Sequence, residues 1–367
     1  MEKLEVWFAD RLVEILEKED SGLVSFRYDE EWLSSGFSIS PISLPLEDRV
    51  FSPPDYITFE GLSGVFSDSL PDGWGRLITD RYLRIRGYFP TALSSLERLS
   101  IIGRSGRGAL EYRPEMERLK SLDTLDLDVL ARDCLRIWNR EDPDYLEELF
   151  LLSNTVGGAE PKIELGDWIV KFPSSWGRTD IGKEEYDYSL AARECGLDVP
   201  DTGLLDSDFC SSYFATERFD RIGGRKIHMV SAGGLLEVSH RVPCLDYNSS
   251  MSLTGYITQD VRAVEEMFRR MCFNVFSHNR DDHARNFAFL YDSEKSCWKL
   301  SPAYDMTYSY SVGGEHATTV NGNGRNPGEE DILAVGMKAK LDSDWCLETM
   351  RDIREKVGEM LGRYLEK

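Results

Sequence analysis

An amphipathic pattern near residues 258–278 predicts a long helix. Thr258 and Asp260 suit its N-terminus, because short polar side chains accept hydrogen bonds from the first backbone amides of a helix. One broad face is apolar, which predicts that the helix is buried and holds the polar segment after it rigidly. The apolar positions are Val261, Val264, Met267, Phe268, Met271, Cys272, Val275 and Phe276.

Short apolar or alternating segments in the first 115 residues predict strands joined by tight connections. These segments are residues 4–8, 24–28 and 37–44. The turn sequence Pro71-Asp72-Gly73 precedes a predicted helix at residues 77–88. A glycine-rich segment at residues 103–108 leads into another strand, and we interpret it as a tight turn rather than a phosphate-binding loop.

Helical spacing returns in the acidic residues 116–152, whose apolar stripe we assign to the core. Beyond it, the pattern predicts strands, helices and a hairpin in mixed order. The strands are residues 167–172 and 213–221, the hairpin is residues 287–300, and the helices are residues 184–196 and two segments within residues 330–367.

Size and charge limit the classes of protein that this chain can represent. Its 367 residues predict two or three units, and its 41% of apolar residues can form large cores. A net charge of −22 argues against non-specific binding to DNA or to anionic membranes. Seven scattered cysteines without a Cys-x-x-Cys pair favour reduced thiols, and we find neither a secretion signal nor a membrane span. We therefore expect a cytoplasmic protein.

The segment after the long helix carries candidate chemistry. It reads SHNRDDHARN at residues 277–286, and a hairpin separates it from Asp305. An Asp, an Asn five positions later and a second Asp beyond a hairpin are the parts of a protein-kinase site. Asp281 has this spacing to Asn286, so we assign it as the residue that accepts the proton of the attacking hydroxyl. Asn286 and Asp305 supply the oxygen ligands that magnesium prefers. The alternative is a polar loop whose Asp and Asn side chains cap a turn.

A second candidate segment reads SNTVGGAEPK at residues 153–162. Paired glycines allow backbone amides to approach phosphate oxygens, although the spacing is not that of a Walker A loop. Lys171 follows on a predicted strand, where kinases place a lysine that binds phosphates; the alternative is an exposed strand lysine. Glu184 or Glu185 could pair with Lys171, or both could form an exposed acidic first turn. The strand at residues 213–221 falls where a hinge that binds adenine is expected.

Together these motifs resemble the HipA family of serine/threonine kinases, the toxins of type II toxin–antitoxin modules. The resemblance runs from about residue 20 to residue 310. It implies an α+β, two-lobed, protein-kinase-like fold, with an α/β N-terminal lobe that includes a β-rich N-terminal subdomain and a mainly helical C-terminal lobe. We expect boundaries at residues 1–115, 116–220 and 221–367. The matching stretches are residues 43–46, 66–76, 156–162, 217–221, 281–286 and 302–305.

The resemblance also implies roles for single residues. Asp281 corresponds to the catalytic Asp, while Asn286 and Asp305 correspond to the magnesium ligands. Asp282 stands where many members have Gly, and we expect it to add charge near the metal. The residues that correspond to the ATP site are Val156, Gly157, Gly158, Ala159, Glu160, Pro161, Lys162, Lys171, Glu217, Arg218, Phe219, His283, Ala284, Arg285, Asn286, Tyr304 and Asp305.

As a member of this family, the chain would use ATP and Mg²⁺ to phosphorylate a protein substrate, with aminoacyl-tRNA synthetases as one target class. It would bind a helix-turn-helix antitoxin similar to HipB, contact DNA only through that antitoxin, and bind no membrane. Thr155 or Ser153 would be candidates for self-inactivating autophosphorylation; the alternative is that both hydroxyls bond the loop backbone. Two other functions stay open: a small-molecule kinase, and a non-catalytic module that binds nucleotide or antitoxin in transcriptional repression.

Overall fold

The computed structural model describes residues 1–116, 126–174 and 180–366, and its internal contacts divide the chain into two units. The first unit comprises Met1–Lys183 and Thr202–Met229, and the second comprises Glu184–Asp201 and Val230–Lys367. None of the described helices has both the length and the apolar character needed to cross a bilayer. Part of the predicted helical segment 116–152, residues 117–125, lies outside the described residues.

The first unit begins with a four-stranded antiparallel sheet of order β3-β2-β1-β4. Alternation along the first strand buries Leu4 and Val6 on one face, which confirms the strand predicted at residues 4–8. The strand predicted at residues 24–28 is confirmed only for its first two residues. The four strands are β1 Lys3–Phe8, β2 Arg11–Lys18, β3 Val24–Ser25 and β4 Leu110–Arg113.

The strand predicted at residues 37–44 is wrong. Ile39 and Leu44 are buried, but the only pairing within this segment is an isolated bridge between Ser40 and Leu44. The hydroxyl of Tyr28 fixes the segment, because it donates to the carbonyl of Leu44 at 2.7 Å and accepts from the amide of Ile39 at 3.0 Å. The alternating apolar residues of this segment therefore belong to a loop that hydrogen bonds to Tyr28 hold in place, and not to a paired strand.

The described residues of the first unit also form helices. The helix predicted at residues 77–88 begins earlier, at Gly73. Ser94 and Glu97 form a capping box for a helix that the sequence analysis missed, although Ser-x-x-Glu is its usual signal. The helices are α1 Glu30–Ser35, α2 Gly64–Ser67, α3 Gly73–Ile85, α4 Ser95–Ile102, α5 Leu127–Trp138 and α6 Leu146–Ser153.

A second antiparallel sheet of the first unit has the order β5-β6-β8-β7. Its buried residues Ile163, Val170 and Phe172 join Trp74 of α3 and Phe150 of α6 in one apolar cluster. This cluster anchors the loop between α6 and β5. The strands are β5 Lys162–Leu165, β6 Trp168–Lys171, β7 Thr202–Leu205 and β8 Tyr213–Glu217, followed by a short hairpin of β9 Arg221–Ile222 and β10 Arg225–Lys226.

The second unit is mainly helical, and its central helix confirms the prediction at residues 258–278. Asp260 caps that helix by accepting a hydrogen bond from the amide of Arg262 at 2.9 Å. Thr258 instead ends the preceding helix, because Gln259 adopts a left-handed backbone conformation that stops it. The helices are α7 Ile181–Glu194, whose first three residues belong to the first unit, α8 Ala232–Leu236, α9 Tyr247–Thr258, α10 Val261–Phe276, α11 Glu329–Lys338 and α12 Ser343–Leu365.

Short strands complete the second unit. The hairpin predicted at residues 287–300 is confirmed as an antiparallel pair with Phe289 opposite Leu300. It follows the loop that leaves α10 and leads to Asp305. The strands are β11 His228–Ser231, which starts in the first unit, β12 Leu245–Asp246, β13 Ala288–Asp292, β14 Cys297–Leu300 and β15 Thr318–Thr319.

We predict that Gly75→Ala destabilises the first unit. A Cβ at Gly75, within α3, would lie 2.4 Å from the carbonyl oxygen of Val156 and 2.7 Å from that of Ser153, and these backbone atoms cannot rotate away. We expect a loss of about 1–3 kcal/mol in the free energy of unfolding, measured by urea denaturation. Gly358→Ala in α12 is the control, because its Cβ would meet open space and should add about 0.5–1 kcal/mol. Equal stability of the two variants would contradict the contact between α3 and the loop.

Candidate active site

Two lysines of the first unit lie side by side on one face of a sheet. Lys162 of β5 is directly opposite Lys171 of β6, and Lys171 is opposite Phe214 of β8. Directly paired residues of antiparallel strands project from the same face, where like charges repel. The Nζ of Lys171 is 5.9 Å from the centre of the Phe214 ring. The two lysine side chains therefore project from one face of this end of the sheet.

The glycine loop lies beside these lysines. A Cβ built on Gly158 would be 2.6 Å from the Nζ of Lys162, and the carbonyl of Gly158 accepts a hydrogen bond from the amide of Trp74 at 2.8 Å. The amide of Gly158 donates to a carboxylate oxygen of Asp72. Asp72 occupies the N-cap position of α3 but makes no side-chain cap bond to it. An anionic oxygen therefore already binds one of the amides that the sequence analysis assigned to phosphate.

Ser153 and Thr155, the candidate autophosphorylation residues, are buried in this loop. The hydroxyl of Ser153 donates to the backbone carbonyl of Lys162 at 2.8 Å, as in the alternative interpretation. The hydroxyl of Thr155 donates instead to a carboxylate oxygen of Glu164 at 2.6 Å. A phosphate at either hydroxyl requires a different loop conformation.

The predicted adenine hinge contains a buried ion pair. The guanidinium of Arg218 lies 2.7 Å from Glu164 and 2.8 Å from Asp220, and its backbone amide donates to the carbonyl of Asp167 at 2.7 Å. Burial lowers the pKa of Arg218, but the charges of Asp220 and Glu164 outweigh this effect and raise it. Burial likewise raises the pKa of Asp220, and Arg218 outweighs it and lowers the value. The side chain of Arg218 is thus bound within the protein, its contact with a nucleotide stays a prediction, and Glu217 ends β8 as an exposed residue.

The loop after α10 brings Asp281 and Asn286 together. Asp281 is exposed, and the side-chain amide nitrogen of Asn286 donates to its carbonyl at 2.7 Å. That bond leaves the amide oxygen of Asn286 as its remaining polar atom, the one that suits a metal. His283 caps the short helix Ala284–Asn286 by accepting from the amide of Arg285 at 3.2 Å. These contacts order the loop, and the catalytic role of Asp281 and the metal-binding role of Asn286 stay predictions.

Asp305 lies on a segment that is bonded to the same loop. The hydroxyl of Tyr304 donates to the carbonyl of Arg285, so the residues before Asp305 and before Asn286 are directly linked. Asp305 has a φ of 57°. This left-handed conformation is uncommon for a residue other than glycine, and such conformations concentrate at functional sites.

Asp282 does not face a metal site, which corrects the expectation that it adds charge there. Its side chain is fully buried and accepts three hydrogen bonds: from the hydroxyl of Tyr247 at 2.9 Å, from Nδ1 of His316 at 3.0 Å and from the amide of Thr318 at 3.1 Å. Burial, and next the charge of Asp282, raise the pKa of Tyr247. Neither Tyr247 nor His316 has a sequence signal that could have revealed this network.

The network extends to the end of α10. Asn274 donates to the hydroxyl of Tyr247 at 2.9 Å and accepts from the side-chain amide of Asn279 at 2.9 Å. Burial, followed by the electrostatic influence of Arg280 and His316, lowers the pKa of His278. Hydrogen bonds among buried polar side chains therefore hold the loop that carries Asp281.

The residues present fit a magnesium ion that is held partly by substrate phosphates. Within the described ranges there is no group of three or more His, Cys, Asp or Glu residues that could hold a metal alone. Magnesium is usually bound by one or two carboxylates with phosphates and water rather than by an all-protein site. Asn286 and Asp305 offer an amide oxygen and a carboxylate for such a site.

Glu184 and Glu185, the candidate partners of Lys171, lie near the start of α7. Both side chains are buried, with exposed fractions of 2% and 4%, so the alternative of an exposed acidic first turn is wrong. Pairing of either residue with Lys171 stays a prediction.

Family models match both parts of the chain. The HipA N-terminal domain matches residues 4–113, and the HipA-like C-terminal domain matches residues 154–361. The chain belongs to the HipA family. The resemblance recognised from the motifs is confirmed.

Two bacterial proteins that carry the name "Putative kinase" are similar to this chain. One, Y4dM of Sinorhizobium fredii, is 27% identical over 52% of this chain and 50% of its own length. The other, from Haemophilus influenzae, is 26% identical over 41% of this chain and 52% of its own length. The chain thus spans about half the length of these curated relatives.

The HipA of Shewanella oneidensis MR-1, solved in a toxin–antitoxin complex with HipB and its operator DNA, has a similar fold. The TM-score is 0.73 at 18% identity, and the match covers 99% of this chain and 90% of that one. This likeness confirms the predicted α+β, two-lobed, kinase-like fold of the HipA family.

We predict that substitutions at two adjacent residues of the loop after α10 change the free energy of unfolding by very different amounts. Asp282→Ala leaves three buried donors without their acceptor and should lower the free energy of unfolding by roughly 3–5 kcal/mol. Asp281→Ala changes an exposed side chain, and we expect a change within about 0.5 kcal/mol. Urea denaturation of both variants measures the difference, and equal stabilities would contradict the structural role of Asp282.

Proposed function

We propose that this chain is an ATP- and Mg²⁺-dependent serine/threonine protein kinase that acts as the toxin of a type II toxin–antitoxin module. The observation that carries the proposal is the arrangement of the second unit. There an exposed Asp281 is bonded through its carbonyl to Asn286, and Tyr304 links that loop to the segment of Asp305. Phosphoryl transfer requires mainly positioning and charge neutralisation, which such an anchored polar loop provides.

Each residue of the proposed site has a task that its surroundings support. Asp281 would accept the proton of the substrate hydroxyl. Asn286 and Asp305 would hold Mg²⁺, which neutralises phosphate charge when bound. Lys162 and Lys171, which are directly paired on neighbouring strands, would bind phosphate oxygens.

The partners follow from the same family. The Shewanella oneidensis relative was solved with HipB and operator DNA, which supports a HipB-like helix-turn-helix antitoxin for this chain. DNA contact would then be made through the antitoxin, in keeping with the net charge of −22. The substrate would be a protein, and aminoacyl-tRNA synthetases are the target class that the resemblance implies.

Phosphotransfer to lysate proteins tests the kinase proposal. The wild type with labelled ATP and Mg²⁺ should produce a phosphoprotein that mass spectrometry identifies, and removal of Mg²⁺ should abolish it. Asp281→Ala should reduce transfer at least 100-fold, roughly the effect of losing a general base. Asp292→Ala is the control, since this carboxylate lies in the hairpin and bonds Lys299.

Three outcomes would contradict this proposal. Full transfer by Asp281→Ala would remove Asp281 from the chemistry. Transfer only to sugars or aminoglycosides would identify a small-molecule kinase. Nucleotide binding without transfer by the wild type would indicate a non-catalytic binding module.

Autophosphorylation is a separate prediction of the same proposal. Incubation with Mg²⁺ and ATP should add one phosphate at Thr155 or Ser153, and the Thr155→Ala and Ser153→Ala variants identify which. At Thr155 the phosphate, of about −1.5 to −2 charge, would face Glu164, now 2.6 Å from the hydroxyl, and would expel the loop. Phosphorylated protein should therefore bind ATP more weakly. An unmodified intact mass in a preparation that phosphorylates another protein would contradict the prediction.

A further inference from the structure

Arg107 lies against the glycine loop, although it belongs to a different part of the sequence. A Cβ built on Gly157 would fall 1.6 Å from Nη2 of Arg107 and 3.0 Å from Oδ1 of Asp72. The guanidinium of Arg107 therefore lies directly on the backbone of Gly157. Arg107 is half-buried and comes from the glycine-rich segment that the sequence analysis interpreted as a tight turn.

The backbone on both sides of Arg107 is fixed by the charged residues that follow β8. Asp220 accepts a hydrogen bond from the amide of Gly108 at 2.8 Å. The guanidinium of Arg221 donates to the carbonyls of Gly106 and Gly108, at 2.8 Å and 2.9 Å. These bonds join the segment of Arg107 to the residues after β8, so Arg107 is presented at a fixed point.

No residue that the structure describes is a counter-ion of the guanidinium that reaches the glycine loop. Among residues 1–116, 126–174 and 180–366, Arg107 forms no hydrogen bond or ion pair, although Asp72 is nearby. The neighbouring Arg104, by contrast, lies 3.7 Å from Glu111 and 3.8 Å from Glu115. A fixed, partly buried arginine without a counter-ion, beside Lys162, is suited to bind an anionic ligand.

We propose that Arg107 is a phosphate-binding residue of the nucleotide site, donated by the N-terminal subdomain to the glycine loop. This inference rests on the proposed function and names an additional contact for it. Arg107, which lies next to Gly157, and Lys162, which lies next to Gly158, would each bind phosphate oxygens. A planar guanidinium can donate two parallel hydrogen bonds to a phosphate, which a lysine cannot.

Calorimetric titration with ATP and with adenosine tests the contact. Arg107→Ala should weaken ATP binding roughly ten- to a hundredfold, the usual effect of losing hydrogen bonds to a charged group, and should leave adenosine binding unchanged. Arg107→Lys should recover part of the ATP affinity, because it keeps the charge but loses the planar fork. Arg104→Ala, in the same segment, should bind both ligands like the wild type.

A double-mutant cycle on ATP affinity tests the contact between Arg107 and Gly157 in a second way. In the wild type, Gly157→Ala would displace the guanidinium of Arg107 and should also weaken ATP binding. In the Arg107→Ala background the same change meets less obstruction and should cost less, so the two effects should not add.

Other outcomes would overturn the proposal. Equal losses for ATP and adenosine would show that Arg107 only supports the loop. Unchanged ATP binding by Arg107→Ala would remove Arg107 from the site while leaving the proposed kinase intact. A wild type that does not bind ATP at all would instead refute the proposed function, and with it the inference.

Discussion

The buried guanidinium of Arg218 connects the parts of the first unit on which its polar site depends. It pairs with Glu164 on one side and Asp220 on the other. Glu164 holds the hydroxyl of Thr155 at the start of the glycine loop, and Asp220 holds the amide of Gly108. Buried ion pairs add little net stability, but removing one partner leaves an uncompensated charge, so these contacts permit few alternative arrangements. Arg218 therefore fixes the relative positions of the glycine loop and the glycine-rich segment at residues 103–108, which are distant in sequence.

In the second unit a buried carboxylate, and not a buried guanidinium, holds the polar loop in place. Asp282 is buried and receives its hydrogen bonds from α9, from His316 and from the start of β15, whereas the adjacent Asp281 is exposed. Neighbouring residues of an extended loop point in opposite directions, so anchoring one orients the other. In both units the residues that hold the backbone are buried and charged, and the residues assigned to chemistry lie next to them.

The sequence contained the candidate catalytic residues but not the contacts that hold them. Asp281, Asn286 and Asp305 follow from a local spacing, and the helix α10 from a local period, so both were accessible to inspection. The motif at residues 217–221 predicts a nucleotide contact for Arg218, whereas its ion pair with Glu164, 54 positions earlier, has no local signal. The glycine-rich segment that contains Arg107 predicts a common tight turn. Only the approach of Arg107 to Gly157 in the structure indicates that this residue has a further role. Likewise, the alternation at residues 37–44 predicted a strand, since no local signal shows that Tyr28 binds this segment.

The N-terminal subdomain contributes charged residues to the surroundings of the glycine loop. Lys162, Lys171 and Arg107 place three cations near one short segment, and Asp72 supplies a carboxylate that binds the amide of Gly158. A phosphate that used the same amide would have to displace Asp72, and the released carboxylate would then lie near the guanidinium of Arg107. Because Asp72 begins α3 and Gly73 and Gly75 of that helix touch the loop backbone, such a displacement would be resisted by the helix itself. The N-terminal subdomain therefore contacts the glycine loop directly, through Asp72, Gly73 and Gly75.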